Sequence, residues 1–411
     1  MKKYDIGIIG AGPAGYTAAI SAGNSGKNVV LFEQDCVGGV CLNRGCIPTK
    51  SILHSSELYR QMSQYGSFGV YCEQVDYDWK SVVQNKNNIV ERLRKGLNLA
   101  MKNAKVEVVN SKADIVDSNT IIASGIEYNC DFIICATGSR PKPIKGMEFD
   151  GEFILSSDDV LNLENLPQNI LIVGSGAIGI EWARIMSNFG VEVTVVELAK
   201  NLLPLADIEV SKRVERIFKT EGIKYFTGVS VNKAQKGNAV LSDGQVLLPE
   251  KILVAVGREP NLVSKVEGVK YLGDVSGEIQ LAHYAIRQAL AQTCSLEFDK
   301  NLIPSIVYGT PEIAWVGKRE QDLELDSYQK SLVLVSSLGK AQCDGQTDGF
   351  IKLITQDKKI VGAHIVSAQA SSLLQQVLIA MQFEVDSDML KQVCFAHPTY
   401  SEGIFEALLK C

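Results

Sequence analysis

Hydrophobic runs in this chain alternate with turns and small-residue stretches in an order that occurs twice. Residues 4–9 make a short apolar run, a glycine-rich turn follows, a helix of small residues is predicted from about Pro13, and a second apolar run spans 28–33. The same order returns over 169–174, 178–190 and 191–197. Strand, turn, helix and strand in two copies predict an internal repeat of a nucleotide-binding unit, and two such units imply two dinucleotides. A polar, turn-rich stretch at 157–167 puts a boundary just before the second copy, which should close near Pro260 and Asn261. From about Asn301 the pattern changes. Alternating strands at 350–355 and 360–366, joined by 356–359, precede an amphipathic helix over 369–384, which predicts an α+β third domain.

Composition narrows the classes. A chain of 411 residues is too long for one core, and 46% hydrophobic with 21% charged residues excludes wholesale disorder, collagen and a coiled-coil rod. With 41 basic against 47 acidic residues the net charge is -6, so neither nucleic acid nor a membrane surface is an expected partner. Ten cysteines, irregularly placed, do not make a secreted disulfide framework, and a reducing, cytoplasmic location is expected. Lys2 and Lys3 ahead of the uncharged run 6–26 imitate a signal peptide or membrane span, but six glycines and Pro13 in that run argue for a folded start.

The candidate chemistry lies at three places. Gly10, Gly12, Pro13, Ala14 and Gly15 form the first turn, where glycines allow a tight bend and the approach of backbone N–H groups to a pyrophosphate. Glu33 follows Gly10 by 23 positions, where a carboxylate accepts hydrogen bonds from an adenosine ribose; the bland alternative is a solvent-facing Glu beside a flexible turn. Gly174, Gly176, Ala177, Ile178 and Gly179 repeat the turn, with Glu197 again 23 positions on. A carboxylate there repels a 2′-phosphate, so the second nucleotide is expected to be NAD, with Lys200 the one basic residue close behind.

The third place is the segment 38–50, which carries Gly39, Cys41, Cys46 and Lys50. In a straight helix five positions span ~7.5 Å, beyond the ~4.4 to 6.8 Å usual between paired cysteines, so pairing requires a bend, which Gly45 permits. Pro48 is tolerated in a helix's first turn, which puts Cys46 near a helix start, where N–H groups favour the thiolate. Zinc ligation, or two buried thiols that never meet, are the alternatives. No second cysteine pair has metal spacing, and no metal is expected. His54, His283 and His364 read as packing residues.

The segment 41–54, supported by 136–138, 257–261, 271–275 and 397–402, resembles the pyridine nucleotide-disulfide oxidoreductases over nearly the whole chain, most closely those members that oxidise dihydrolipoamide. The resemblance implies an α/β fold with two Rossmann-like dinucleotide-binding domains, for FAD (1–150 and 266–297) and NAD (151–265), plus a C-terminal α+β dimerisation domain (298–411). It implies a Cys41–Cys46 redox disulfide, Glu33 on the ribose of FAD, Asp274 on its ribityl chain, and Lys50 near the flavin paired with Glu181. Read alone, Asp274 would be a helix cap, and Lys50 and Glu181 ordinary helix-surface charges. Backbone contacts are implied to FAD near Ala113, Thr137, Gly138 and Ala282, and to NAD near Val231 and Gly257. His397, oriented by Glu402, is implied to enter from a partner subunit as acid and base, which requires a homodimer, and the substrate to ride on a lipoyl-bearing domain of an oxoacid dehydrogenase or glycine cleavage complex.

Departures from the family pattern are the brevity of 262–270 and 231–249, and Ser371 where the family often has Glu. The rival readings are a reductase of glutathione-like or mercuric substrates, and a catalytically impaired flavoprotein subunit.

Overall fold

The structure is a computed structural model that describes residues 2–62, 65–261 and 264–411. Its first sheet is built around the strand Lys2–Ile9, which lies parallel between Val29–Glu33 and Ile126–Cys135. Glu107–Asn110 extends the parallel set, and Thr120–Ala123 with Ala113–Ile115 adds an antiparallel flank. The uncharged run 6–26 is therefore a buried strand, a turn and the helix Pro13–Asn24. Ala14, Ala18, Ala19 and Ala22 of that helix are buried in one cluster with Ala285 and Ala289, and these small side chains let it approach the helix Ala282–Cys294 closely. Among the described residues no helix is long and apolar enough to cross a membrane.

The second copy repeats the plan. Lys224–Thr227, Glu192–Glu197, Asn169–Val173, Lys251–Val254 and Ile154–Leu155 lie in that order, all parallel, with the helix Ala177–Asn188 after the central strand. The terse segment after residue 230 forms a small antiparallel sheet of Val231–Gln235, Asn238–Leu241 and Val246–Leu247. Entry and exit run side by side, because Ser139–Pro141 pairs antiparallel with Arg258–Pro260. The chain then returns to the first sheet, where Lys270–Tyr271 pairs with Ile134 and Cys135.

The last sheet is antiparallel, in the order Ser305–Val307, Glu312–Gly317, Lys359–Ser367, Phe350–Gln356 and Gln329–Leu334. Asp357 and Lys358, both at positive φ, make the tight turn between its two longest strands. The expected helix over 369–384 is Ala370–Gln382, and Ser371 in its first turn donates its N–H and hydroxyl to Glu312. Apolar packing is shared across the molecule: one cluster joins Ile52 and Leu53, the second sheet's Ile172, and Ile313 and Phe350 of the last sheet. Periodicity left several large elements unread, among them the helices Trp79–Asn103, Ile208–Thr220 and Ala282–Cys294 and the strand Ile126–Cys135; Asp78 caps the first of these helices by accepting from Lys80 and Ser81. His54 is a correction: it lies exposed on its helix, whereas His364 is fully buried with Nε2 3.0 Å from the Lys318 carbonyl.

Candidate active site

Two glycine turns of the same geometry stand at the ends of the two central strands. At Gly10 and Gly174, φ is 96° and 102°, and a side chain would run into the carbonyls of Ala136 and Ala255 on the neighbouring strand. A Cβ on Gly15 or Gly179 would overlap the carbonyl oxygen of Gly10 or Gly174, so these glycines let helix and strand meet. Gly12 and Gly176 differ from them: each caps its helix without a side-chain hydrogen bond, and a Cβ would find only Gly39 Cα at 3.9 Å, or nothing within 4 Å. Their space faces outward from uncapped helix N–H groups, which fits a dinucleotide's pyrophosphate. Pro13, Ala14, Ala177 and Ile178 form the first turns of those helices. Glu33 accepts from the N–H groups of Ala11 (2.7 Å) and Asp35 (2.9 Å), and Glu197 from those of Ser175 (2.8 Å) and Ala199 (2.7 Å). Each carboxylate thus ties strand end to glycine turn, at the edge where a ribose would lie.

The cysteine segment is fastened to the first turn. The N–H of Gly38 donates to the Ala11 carbonyl, and a Cβ on Gly39 would stand 2.6 Å from Gly12 Cα. A short helix, Gly39–Arg44, stops at Gly45, and a new helix, Cys46–Met62, starts on the next residue. This is the bend that pairing requires. Asn43 braces it, donating to the Val37 and Gly39 carbonyls at 3.0 and 2.9 Å. Cys41 and Cys46 are free thiols with hydrogen-bonded side chains, the reduced form of such a pair. The bond from Cys41 pulls Cys46 down to about 7; burial opposes this, Lys50 assists it and Glu181 resists it. The same bond, with burial, pushes Cys41 far up. One sulfur is thus poised as thiolate and the other as thiol.

Lys50, one turn beyond Cys46, donates to both oxygens of Glu181 at 2.9 and 2.7 Å, and Glu181 is buried. Neither is a solvent-facing helix charge. Asp274 is not a helix cap: it lies within the single turn Gly273–Ser276 and accepts from Ser139 Oγ. A Cβ on Gly273 would stand 3.3 Å from the Cβ atoms of Ala14 and Ala285, so the short return from residue 264 still brings Asp274 to the start of the first glycine-rich helix. Arg258 flanks it, donating to Ser139 Oγ and to its carbonyl, each at 2.8 Å. Asn261 closes the same corner through the carbonyls of Thr137 (2.6 Å) and Gly138 (2.9 Å). Ala113 is in the edge strand opposite Ala123, Ala282 opens the helix Ala282–Cys294, Val231 is buried in the small sheet, and Gly257 precedes the Arg258–Pro260 strand.

His397 and Glu402 find each other across a turn: Nδ1 is 2.7 Å from Glu402 Oε1, and Thr399 N–H donates to the other carboxylate oxygen at 2.8 Å. These contacts hold the Glu402 carboxyl below its usual range. The His397 side chain is 77% exposed, and Glu402 is its hydrogen-bond partner. Sequence reading missed Tyr16, Arg184, Arg258 and Tyr308. Tyr16, in the first turn of its helix, is raised by burial and then by the charges of Cys41 and Cys46, and Tyr308 lies with its ring centre 4.7 Å from Lys50 Nζ. The one local signal was the Gly-Thr-Pro turn after Tyr308.

The sequence family described as pyridine nucleotide-disulphide oxidoreductase matches residues 4–284, and its dimerisation domain matches residues 303–408. A dihydrolipoyl dehydrogenase of Bacillus subtilis is 32% identical over 462 positions, covering 99% of this chain and 98% of the relative. That alignment is longer than 411 residues, so the relative carries segments this chain lacks. A dihydrolipoyl dehydrogenase of Chlamydia pneumoniae is 31% identical, covering 99% and 97%. Among solved structures, LpdA of Mycobacterium tuberculosis superposes with a TM-score of 0.91 at 22% identity, covering 100% of this chain and 99% of that one. The HOCl-induced flavoprotein disulfide reductase RclA of Escherichia coli gives 0.86 at 24% identity, covering 99% of each. At these identities the superpositions speak for the fold.

Proposed function

The chain belongs to the pyridine nucleotide-disulphide oxidoreductase family, FAD-dependent enzymes of NAD(H), and from that premise we propose that it oxidises protein-bound dihydrolipoamide and reduces NAD. The observation that carries this reading is the hydrogen-bonded thiol pair Cys41 and Cys46 at a helix start, beside Lys50 and its buried partner Glu181. The full-length likeness to dihydrolipoyl dehydrogenases supports the substrate, and Glu197 supports NAD over NADP.

In this reading residues 1–150 with 266–297 hold FAD, 151–265 hold NAD, and 298–411 build a homodimer in the cytoplasm, where the eight cysteines other than Cys41 and Cys46 stay reduced. Glu33, Asp274 and the turn Gly10–Gly15 hold FAD, with backbone groups near Gly39, Ala113, Thr137, Gly138 and Ala282; Glu197, Gly174–Gly179, Val231 and Gly257 hold NAD. FAD held there would supply the two-electron acceptor for the thiol pair and the hydride donor for NAD.

The chain's own steps are thiol exchange. A thiol of dihydrolipoamide gives its proton to the partner subunit's His397, which Glu402 keeps in one tautomer. The thiolate attacks Cys41 in the Cys41–Cys46 disulfide; that S–S bond breaks, Cys46 leaves as thiolate, and a mixed disulfide joins substrate to Cys41. The second substrate thiol attacks the substrate sulfur of that bond, closing lipoamide's ring and expelling Cys41. Of the two substrate protons one ends on Cys41 and one on His397, and the electron pair rests on Cys41 and Cys46. The low Cys46 pKa makes it the better leaving group.

The test is turnover of dihydrolipoamide with NAD by the purified flavoprotein, against glutathione disulfide with NADH and mercuric ion with NADPH. Turnover of dihydrolipoamide that disappears in Cys46→Ser supports the reading. Turnover of only one of the other substrates assigns a sister reductase, and a bound flavin with no turnover assigns an impaired subunit.

A further inference from the structure

The turn over 308–311 joins the strands Ser305–Val307 and Glu312–Gly317 of the C-terminal sheet, yet its first residue faces the redox site of the same chain. Tyr308 N–H donates to Glu181 Oε1 at 3.0 Å, and Lys50 Nζ stands 4.7 Å from the centre of its ring. Arg184, almost one helical turn beyond Glu181, is buried under this turn. We propose that Arg184 is a positioning residue for the redox site, bracing the Tyr308 turn against the Lys50–Glu181 pair.

The guanidinium donates to the Pro311 carbonyl at 2.9 Å, to the Thr310 carbonyl, and to both oxygens of Glu221 at 3.2 and 3.0 Å. Only arginine's planar fork reaches four such acceptors at once. Glu221, at the end of the helix Ile208–Thr220, also accepts from Arg60 of the cysteine helix. Gly309 makes the arrangement possible: its φ is 148°, and a Cβ there would overlap the Arg184 guanidinium. The far end of the turn is tied to the cysteine helix as well, because Thr310 Oγ1 donates to Glu57 at 2.7 Å. Buried ion pairs add little net stability over apolar packing, so what this network supplies is geometry: the height of Tyr308 over Lys50 and Glu181. This assignment goes beyond the substrate reading, since it concerns the charge that Cys46 feels whatever thiol is exchanged.

The experiment is the pH profile of Cys46 alkylation by iodoacetamide in the reduced protein, read by peptide mass, with Tm measured alongside. The groups facing Cys46 are Cys41, Lys50, Glu181, Tyr16, Tyr308 and Arg258. With the Tyr308 N–H withdrawn, Glu181 turns more of its negative charge toward Cys46. The midpoint should then rise by about half a unit or more in Gly309→Ala, Arg184→Met and Arg184→Lys alike. Gly309→Ala leaves every charge in place, so it and Arg184→Lys carry the test where Arg184→Met does not fold. A low midpoint that folded variants leave unmoved overturns the bracing role alone. An ordinary thiol midpoint in the unaltered protein contradicts the redox reading and the bracing with it.

Discussion

The Cys41 hydrogen bond and burial act most strongly on Cys46, and Lys50 and Glu181, in opposite directions, adjust how much thiolate the site holds near neutral pH. Replacing Lys50 by Met removes an ammonium one turn away and leaves Glu181 without its cation, so the Cys46 midpoint should climb by about one to two units, read by alkylation rate against pH. Glu181→Gln should move it the other way, since the raising charge goes while the cation stays. His397→Ala should lower turnover about 10²- to 10⁴-fold, with Cys46 still reacting normally with iodoacetamide, because in the proposed mechanism the imidazole, held by Glu402, serves the substrate thiol. Equal loss of turnover and of Cys46 reactivity would contradict that division of labour.

In the proposed assignment each strand-turn-helix unit holds one nucleotide, so the two can be tested one at a time. A methyl group on Gly15 or Gly179 meets a backbone carbonyl that cannot yield, at a local cost of about 1–3 kcal/mol. Gly179→Ala should keep its yellow flavin and lose NADH binding, whereas Gly15→Ala should be purified without flavin; absorbance and NADH titration check both. These turns were legible in the sequence because the spacing of small residues is itself the steric requirement. The bend at Gly45 was legible for the same reason. The helix Trp79–Asn103 was not read, since it buries few residues, Trp79, Val90 and Met101 among them, on an otherwise polar length, and neither was Tyr308, whose importance comes from a sheet far along the chain folding back over Lys50. The resemblance supplied the pairing of Lys50 with Glu181 and of His397 with Glu402, which separations of 131 and 5 positions do not announce by themselves.

Across the whole molecule the second unit is joined to the C-terminal sheet by a buried charge cluster. Lys352, with no exposed surface, contacts Asp207 at 2.9 Å, Glu209 at 3.0 Å and Glu320 at 2.6 Å. Burial pushes Asp207 and Glu320 up, but Lys352 and its neighbours outweigh it, holding Asp207 low and bringing Glu320 from 4.5 to about 2. Carboxylates depressed in the fold contribute stability that is present above their unfolded values and is lost as pH falls toward 2. Lys352→Met should therefore raise the pH of acid unfolding and cost about 3–5 kcal/mol at pH 7, seen in denaturant melts. An unchanged acid midpoint would show that the cluster does not govern acid stability. Nothing in the local pattern around Lys352 marked this joint, since a lysine inside a sheet strand reads as a solvent-facing charge until the partner helix is in place.

In the proposed reaction electrons travel between the nicotinamide nucleotide and the Cys41–Cys46 pair by way of a flavin. An anaerobic titration of the purified flavoprotein with NADH, following the visible spectrum and then counting alkylated thiols, tests it most directly. A long-wavelength absorption band should grow while the flavin stays largely oxidised, with Cys41 and Cys46 both becoming alkylatable after one equivalent. A flavin that bleaches without that band, leaving the two cysteines closed to alkylation, would contradict it.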